Sequence, residues 1–325
     1  MRRHRSPATG SRAKRATICY NNPLSRWVVF SRETFNGLQT IWPAMKALNN
    51  VAIVGVGLIG GSIGLAMRER GLAKTVVGVG RRQESLRTAR RVGAVDRTTV
   101  NLEKGVAEAD LVIVCTPVGR IVEDVLQVAK VCPEGTLITD AGSTKQTIVE
   151  ALDRELPRQC RFLGAHPLAG REKTGSANAV ADLFHGRVTI ITPTKNTQAK
   201  DYDLLEQLWI QLGSMVIRMA ADEHDRIVAV TSHMPHALAV ALSASLSEDC
   251  FRLSGTGLLD MTRLAAGDTE IWKPIFGSNR NNLLTAIDQF EHRLAALRKA
   301  IAAGDDAELE QILTLAKKNR DALGS

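Results

Sequence analysis

The feature that most constrains this chain is a glycine cluster, Gly55-Val56-Gly57-Leu58-Ile59-Gly60-Gly61-Ser62. It lies between an apolar strand-like run, Val51-Ala52-Ile53-Val54-Gly55, and a segment of helical spacing from Gly60 to Arg70. The first glycine allows a tight turn, the second lets the backbone approach a pyrophosphate, and the third lets helix pack closely on strand. The start of the helix adds free N–H groups and the positive end of its dipole. Glycines at this spacing are weak evidence alone, but strand, spacing and helix agree here. Gly55, Gly57, Leu58, Ile59 and Gly60 are therefore expected to hold a dinucleotide.

The rest of the first half fits that beginning. Strand patterns recur at Thr75–Val79, Asp110–Cys115, Thr136–Thr139 and Arg161–Gly164, with helical spacing between them, as over Gln83–Val92. Such alternation predicts an α/β fold with a doubly wound, Rossmann-type parallel sheet. Val188–Thr192 and Met215–Arg218 are expected to extend the sheet. Beyond Ala220 strand patterns stop, and Val228–Leu246, Asn281–Ala303 and Asp306–Ala322 carry helical periods. The expected division is a dinucleotide-binding domain over 45–220 and an all-helical substrate and dimerisation domain over 221–325. A helical unit that small completes its core most simply against a second copy, which predicts a homodimer.

Charge excludes one class of partner. Residues 1–44 hold eight Lys/Arg against Glu33 alone, so this tail carries +7 of the net +8. The remainder is nearly neutral and has no broad basic face for nucleic acid. The tail reads as a disordered extension or over-extended start with Met45 as the working initiator. An organelle transit peptide and a nucleic-acid arm are the competing readings. No run of 18 apolar residues suggests a membrane span. The five cysteines are odd in number and widely spaced, which reads as unpaired thiols in a reducing, cytoplasmic compartment.

The second strand bears on which cofactor binds. It ends Val79-Gly80-Arg81-Arg82, with no acidic side chain to meet a ribose 2′-hydroxyl. Two guanidiniums suit a 2′-phosphate, so NADP is favoured over NAD; ordinary solvated arginines are the alternative. Thr116-Pro117 closes the next strand, where it either passes the cofactor or simply ends the strand.

Oxidation of an alcohol carbon by hydride transfer needs a group to take the hydroxyl proton, and histidine titrates near working pH. His166 ends an apolar strand in Gly164-Ala165-His166-Pro167-Leu168-Ala169-Gly170. Pro167 should break the strand and leave the imidazole at the carboxyl edge of the sheet, where ligands bind. Ser143, in Asp140-Ala141-Gly142-Ser143-Thr144-Lys145, either caps the following helix or meets the substrate hydroxyl. Ser232-His233-Met234-Pro235-His236 opens the helical half. Its histidines lack a third ligand at metal-like spacing, so no metal is expected. Arg263, in an apolar setting, is suited to clamping a carboxylate.

These stretches, with Glu172-Lys173-Thr174-Gly175, Asp260-Met261-Thr262-Arg263 and Ile271-Trp272, resemble the prephenate/arogenate (cyclohexadienyl) dehydrogenase family, in the family's order from about residue 50 to 300. The resemblance implies that His166 is the catalytic histidine and that Ser143 is its partner at the ring hydroxyl and nicotinamide. It further implies that Arg263 binds a carboxylate, that His236 and Ser232 belong to the substrate pocket, and that Trp272 lines it, from its own or a partner subunit. Glu172 is a candidate for reading an ammonium group. Arg171 departs from the small hydroxyl residue more usual after the HPLAG element, which bears on prephenate against arogenate. Two other classes compete: a β-hydroxyacid dehydrogenase-like enzyme, which leaves His166 unexplained, and a non-enzymatic NAD(P)H sensor, which needs neither His166 nor Arg263.

Overall fold

The computed structural model describes residues 45–157, 159–170 and 173–324, within a compact unit spanning Pro43–Ser325. The basic tail, Arg171 and Glu172 lie outside the described residues. The chain runs β1 (Leu48–Val54), α1 (Leu58–Glu69), β2 (Ala73–Val79), α2 (Gln83–Arg91), β3 (Arg97–Thr99), α3 (Leu102–Val106), β4 (Leu111–Val114), α4 (Ile121–Val131), β5 (Leu137–Asp140), α5 (Gln146–Glu155) and β6 (Arg161–Pro167). It continues through β7 (Val188–Thr192), α6 (Ala199–Gln211) and β8 (Met215–Arg218).

The eight strands form one sheet in the order β3-β2-β1-β4-β5-β6-β7-β8. Strands β1 to β6 are parallel, which gives the doubly wound half expected from the alternation. The exception is β7, which pairs antiparallel to β6 and parallel to β8. The doubly wound parallel sheet is as expected, and β7 adds one antiparallel pairing to it beside β6. The central strands are apolar on both faces because helices cover both. Val51 and Ile53 join a core with Ile63, Met67, Leu111, Phe184 and Trp209. Their neighbours Ala52 and Val54 enter a second core with Val112, Ile121, Val125 and Ile138.

Strand β6 passes between two pairing partners. Its first half pairs with β5 as far as Leu163, and its second half, Gly164–Pro167, pairs with β7. Pro167, opposite Thr189, is the last residue of the strand, so the strand stops at the proline as the sequence suggested. His166 accordingly stands beyond the end of the β5–β6 ladder.

The second half is helical: α7 (Ala221–Val228), a π-helical turn over Ala229–His233, α8 (Met234–Ala244), α9 (Glu248–Phe251), α10 (Thr256–Thr262), a 3₁₀ turn over Arg263–Ala266, α11 (Thr269–Ser278), α12 (Arg280–Ala303) and α13 (Asp306–Ala322). Residues 221–244 form one continuous helix, long and apolar enough by composition to cross a bilayer. Its first turns hold Asp222, Glu223, Asp225 and Arg226, and its histidines are buried in the protein. The Ser232–His236 stretch does not open this half; it lies mid-helix. Pro235 has no N–H to continue an α-helical ladder, and the π turn takes up the register just before it. The second sheet core extends to Trp272, Ile275 and Phe276 of α11, so helices and sheet share packing.

Candidate active site

The glycine loop lies where the sheet order reverses, between β1 and β4. Gly55 has φ 92°, and a Cβ there would come within 2.9 Å of the carbonyl carbon and oxygen of Cys115. At Gly60 an added Cβ would strike the Gly55 carbonyl oxygen. Gly57, at the N-cap of α1, has no atom within 4 Å of an added Cβ, so its backbone faces open space. Leu58 and Ile59 open the helix behind it. Thr116 lies two residues past the end of β4, with its backbone nitrogen 3.0 Å from the Cβ position of Gly55. Its Oγ1 is buried without a hydrogen-bond partner. A cradle open only at Gly57, with an unpartnered hydroxyl beside it, fits a dinucleotide phosphate and its attached nicotinamide half. Pro117, also after β4, is exposed, as are Arg81 and Arg82 past β2.

Across the same edge lies a buried polar chain. His166 Nδ1 is 2.8 Å from His224 Nε2, and His224 Nδ1 is 2.7 Å from Asp225 Oδ1. Asp225 also accepts the backbone N–H groups of Lys145 at 2.7 Å and Gln146 at 3.0 Å, the start of α5. Ser143 therefore does not cap that helix; a carboxylate from α7 does, aided by the helix dipole. A carboxylate only accepts, so His224 Nδ1 donates to it. His224 Nε2 then accepts, and His166 Nδ1 donates. His166 is left with the Nε2 lone pair, which no hydrogen bond engages among the described residues. Removal from water, reinforced by His224 and by the Lys145 ammonium, holds His166 well below the usual imidazole pKa. The ring is neutral at pH 7 and its free nitrogen is an acceptor.

Under this chain, Lys145 and Asp140 form an ion pair with both side chains fully buried. Asp140 also accepts the N–H of Gly142 at 2.8 Å and of Ala165 at 3.2 Å, so its lone pairs are used and the loop before α5 is pinned to β6. Thr144 Oγ1 meets Ser278 Oγ at 3.0 Å, tying the same loop to α11. Ser143, partly exposed, stands between these anchored residues.

His233 on the π turn and His236 on α8 are both buried. Asn279 donates to the Asp225 carbonyl at 2.7 Å and lies 3.1 Å from His233 Nδ1. An amide nitrogen only donates, so His233 Nδ1 accepts and its hydrogen sits on Nε2. Burial pushes its pKa down to about 4. His236 stacks on Trp272 with ring centroids 3.5 Å apart. Trp272 thus meets His236 within one chain. Arg263 is exposed at the start of the 3₁₀ turn, which packs on α8. Ser232, also exposed, precedes His233 on the π turn.

The structure brings His166, Ser143, His236 and Trp272 onto segments joined by these hydrogen bonds and ring contacts. Sequence reading did not single out His224, Asp225 or Asn279. An adjacent His-Asp pair opening an apolar helix was the available signal, but charges in a first helical turn usually face water.

A phosphate cradle at a sheet's reversal point and a neutral imidazole with a free lone pair define a nicotinamide-dependent oxidoreductase. Comparison with known proteins identifies the kind. Residues 63–218 match the nucleotide-binding domain of prephenate dehydrogenase, and residues 220–315 match its dimerisation domain. The chain belongs to the prephenate dehydrogenase family. It is 32% identical over 282 residues to the prephenate dehydrogenase of Bacillus subtilis (strain 168), covering 85% of this chain and 76% of that protein. It is also 32% identical over 287 residues to the cyclohexadienyl dehydrogenase of Zymomonas mobilis, covering 86% and 97%. The crystal structure of A. aeolicus prephenate dehydrogenase in complex with hydroxyphenyl propionate and NAD+ superposes with a TM-score of 0.80 at 32% identity, over 86% of this chain and all of that one.

Proposed function

We propose that the chain catalyses the oxidative decarboxylation of prephenate, arogenate or both, in tyrosine biosynthesis. The observation that carries this reading is the hydrogen-bond chain from Asp225 through His224, which leaves His166 neutral with Nε2 free. A nicotinamide held by the glycine loop would supply the hydride acceptor for the ring carbon bearing the hydroxyl. His166 Nε2 takes the hydroxyl proton, and Asp225 steadies the positive charge that then spreads over the paired imidazoles. Ser143 positions the hydroxyl, and Arg263 holds a substrate carboxylate. His236, Ser232 and Trp272 line the pocket, and Glu172 is the candidate for an ammonium group. Loss of the ring carboxylate makes the ring aromatic and the reaction effectively irreversible.

Gly55, Gly57, Leu58, Ile59 and Gly60 hold the pyrophosphate, with Thr116 and Pro117 beside the nicotinamide. Arg81 and Arg82 favour NADP. Residues 45–220 form the nucleotide domain and 221–325 the helical domain. A homodimer through that helical half accounts for its exposed Leu259, Met261, Leu294 and Ile301. The enzyme is placed in the cytoplasm.

The test offers purified protein prephenate and arogenate, each with NAD and NADP, and follows reduced cofactor. Turnover of neither substrate overturns the proposal. His166→Asn is expected to lower kcat about 10²- to 10⁴-fold with cofactor binding kept. Near-normal turnover in that variant removes His166 from the chemistry.

A further inference from the structure

Two thiols outside the site lie in contact. Cys132 caps the C-terminus of α4, and Cys160 immediately precedes β6; their sulfurs are 3.5 Å apart. Both are free, Cys132 partly exposed and Cys160 buried. The loops that carry them are already joined, since Gly135 donates its N–H to the Gln159 carbonyl at 2.7 Å. The Arg161 N–H in turn donates to the Thr136 carbonyl at 3.2 Å. The backbone thus holds the two thiols together. Rotation of side chains is then the main motion needed to bring the sulfurs to bonding distance.

We propose that Cys132 and Cys160 form a redox-modification site, closing to an intramolecular disulfide when a hydroperoxide oxidises Cys132. The two sulfurs have different roles because their surroundings differ. Solvent reaches Cys132, so its thiolate attacks the peroxide. The O–O bond breaks, an alcohol or water leaves, and a sulfenic acid forms on Cys132. Burial, with the neighbouring Cys132 sulfur, pushes the Cys160 thiol up to about 12, so it does not react first. It resolves the sulfenic acid: the Cys160 sulfur gives up its proton and attacks the Cys132 sulfur. The S–O bond breaks, and hydroxide leaves with that proton as water. The two thiols lose two electrons and the hydroperoxide gains them.

The bond closes a loop containing β5 and α5, and with them Asp140, Ser143 and Lys145. It lies at the start of β6, whereas His166 lies near that strand's end. A link there staples the β5–α5 unit without touching the reacting atoms. Constraint of the unfolded chain then raises the unfolding temperature of the oxidised form.

The full chain is treated with hydrogen peroxide, free thiols are alkylated, and peptides are mapped without reduction. The expected result is a Cys132–Cys160 linked peptide as the main product, with a rise in thermal midpoint that dithiothreitol reverses. Cys132→Ser and Cys160→Ala each abolish the link and the rise, and Cys132→Ser leaves turnover of the untreated enzyme unchanged. Oxidation of Cys132 to sulfinic acid while Cys160 remains alkylatable overturns the proposal. So does a main link to Cys115 or Cys250, or full alkylation of both thiols after peroxide.

Discussion

The role proposed for His166 depends on which ring nitrogen keeps its hydrogen. The acceptor at His224 fixes that choice, and the choice at His224 is fixed by a carboxylate that two backbone N–H groups also hold. Asp225→Asn tests the chain from its far end. An amide cannot accept from all three donors, so the His224 tautomer is released and the charge opposite the incoming proton is lost. The expected outcome is a fall in kcat of about 100-fold with little change in cofactor affinity, within the span of a general base's contribution. Steady-state kinetics beside nucleotide titration separates this from misfolding, which would lower both. On the cofactor side, Arg81→Ala is expected to raise the KM for NADP by about tenfold while sparing NAD, as loss of one phosphate contact implies. A strong NAD preference already present in the parent protein would refute the clamp.

At the scale of elements, the glycine loop separates folding from binding. Gly55→Ala places a Cβ 2.9 Å from the Cys115 carbonyl group at φ 92°, so it is expected to cost about 1–3 kcal/mol of stability by denaturant unfolding. Gly57→Ala meets nothing within 4 Å, so it is expected to fold normally and to lose nucleotide affinity. The βαβ units were legible because strands buried on both faces are written as unbroken apolar runs. Arg97–Thr99 was not legible: a three-residue polar edge strand has no such signature. The antiparallel turn of β7 was likewise unwritten, since strand direction depends on the connection and the apolar pattern does not encode it. The π turn was hidden too, because a helical period reads much the same through one extra residue. His166, Ser143 and Trp272 could be singled out from motifs. The partners that tune His166 could not, because they come from segments brought together only when α7 docks on α5 and β6.

For the molecule as a whole, the buried histidines make stability depend on pH. Desolvation lowers the pKa of His166, His224, His233 and His236 in the fold. The unfolded chain has ordinary imidazoles, so below pH ~6.5 it takes up protons that the native state refuses. Stability is therefore expected to be level above that pH and to fall steadily from about 6.5 towards 4, where His233 titrates. Thermal unfolding across that range checks the sign; a midpoint that rises on acidification contradicts it. The placement of Asp225 has one more consequence. A side chain from the C-terminal third caps the first turn of a helix of the N-terminal two-thirds and, through His224, also fixes the ring tautomer of His166 on the sheet. The two parts are therefore not exchangeable cassettes: a hybrid joining this nucleotide half to a foreign helical half without that aspartate would bind cofactor yet keep an idle imidazole.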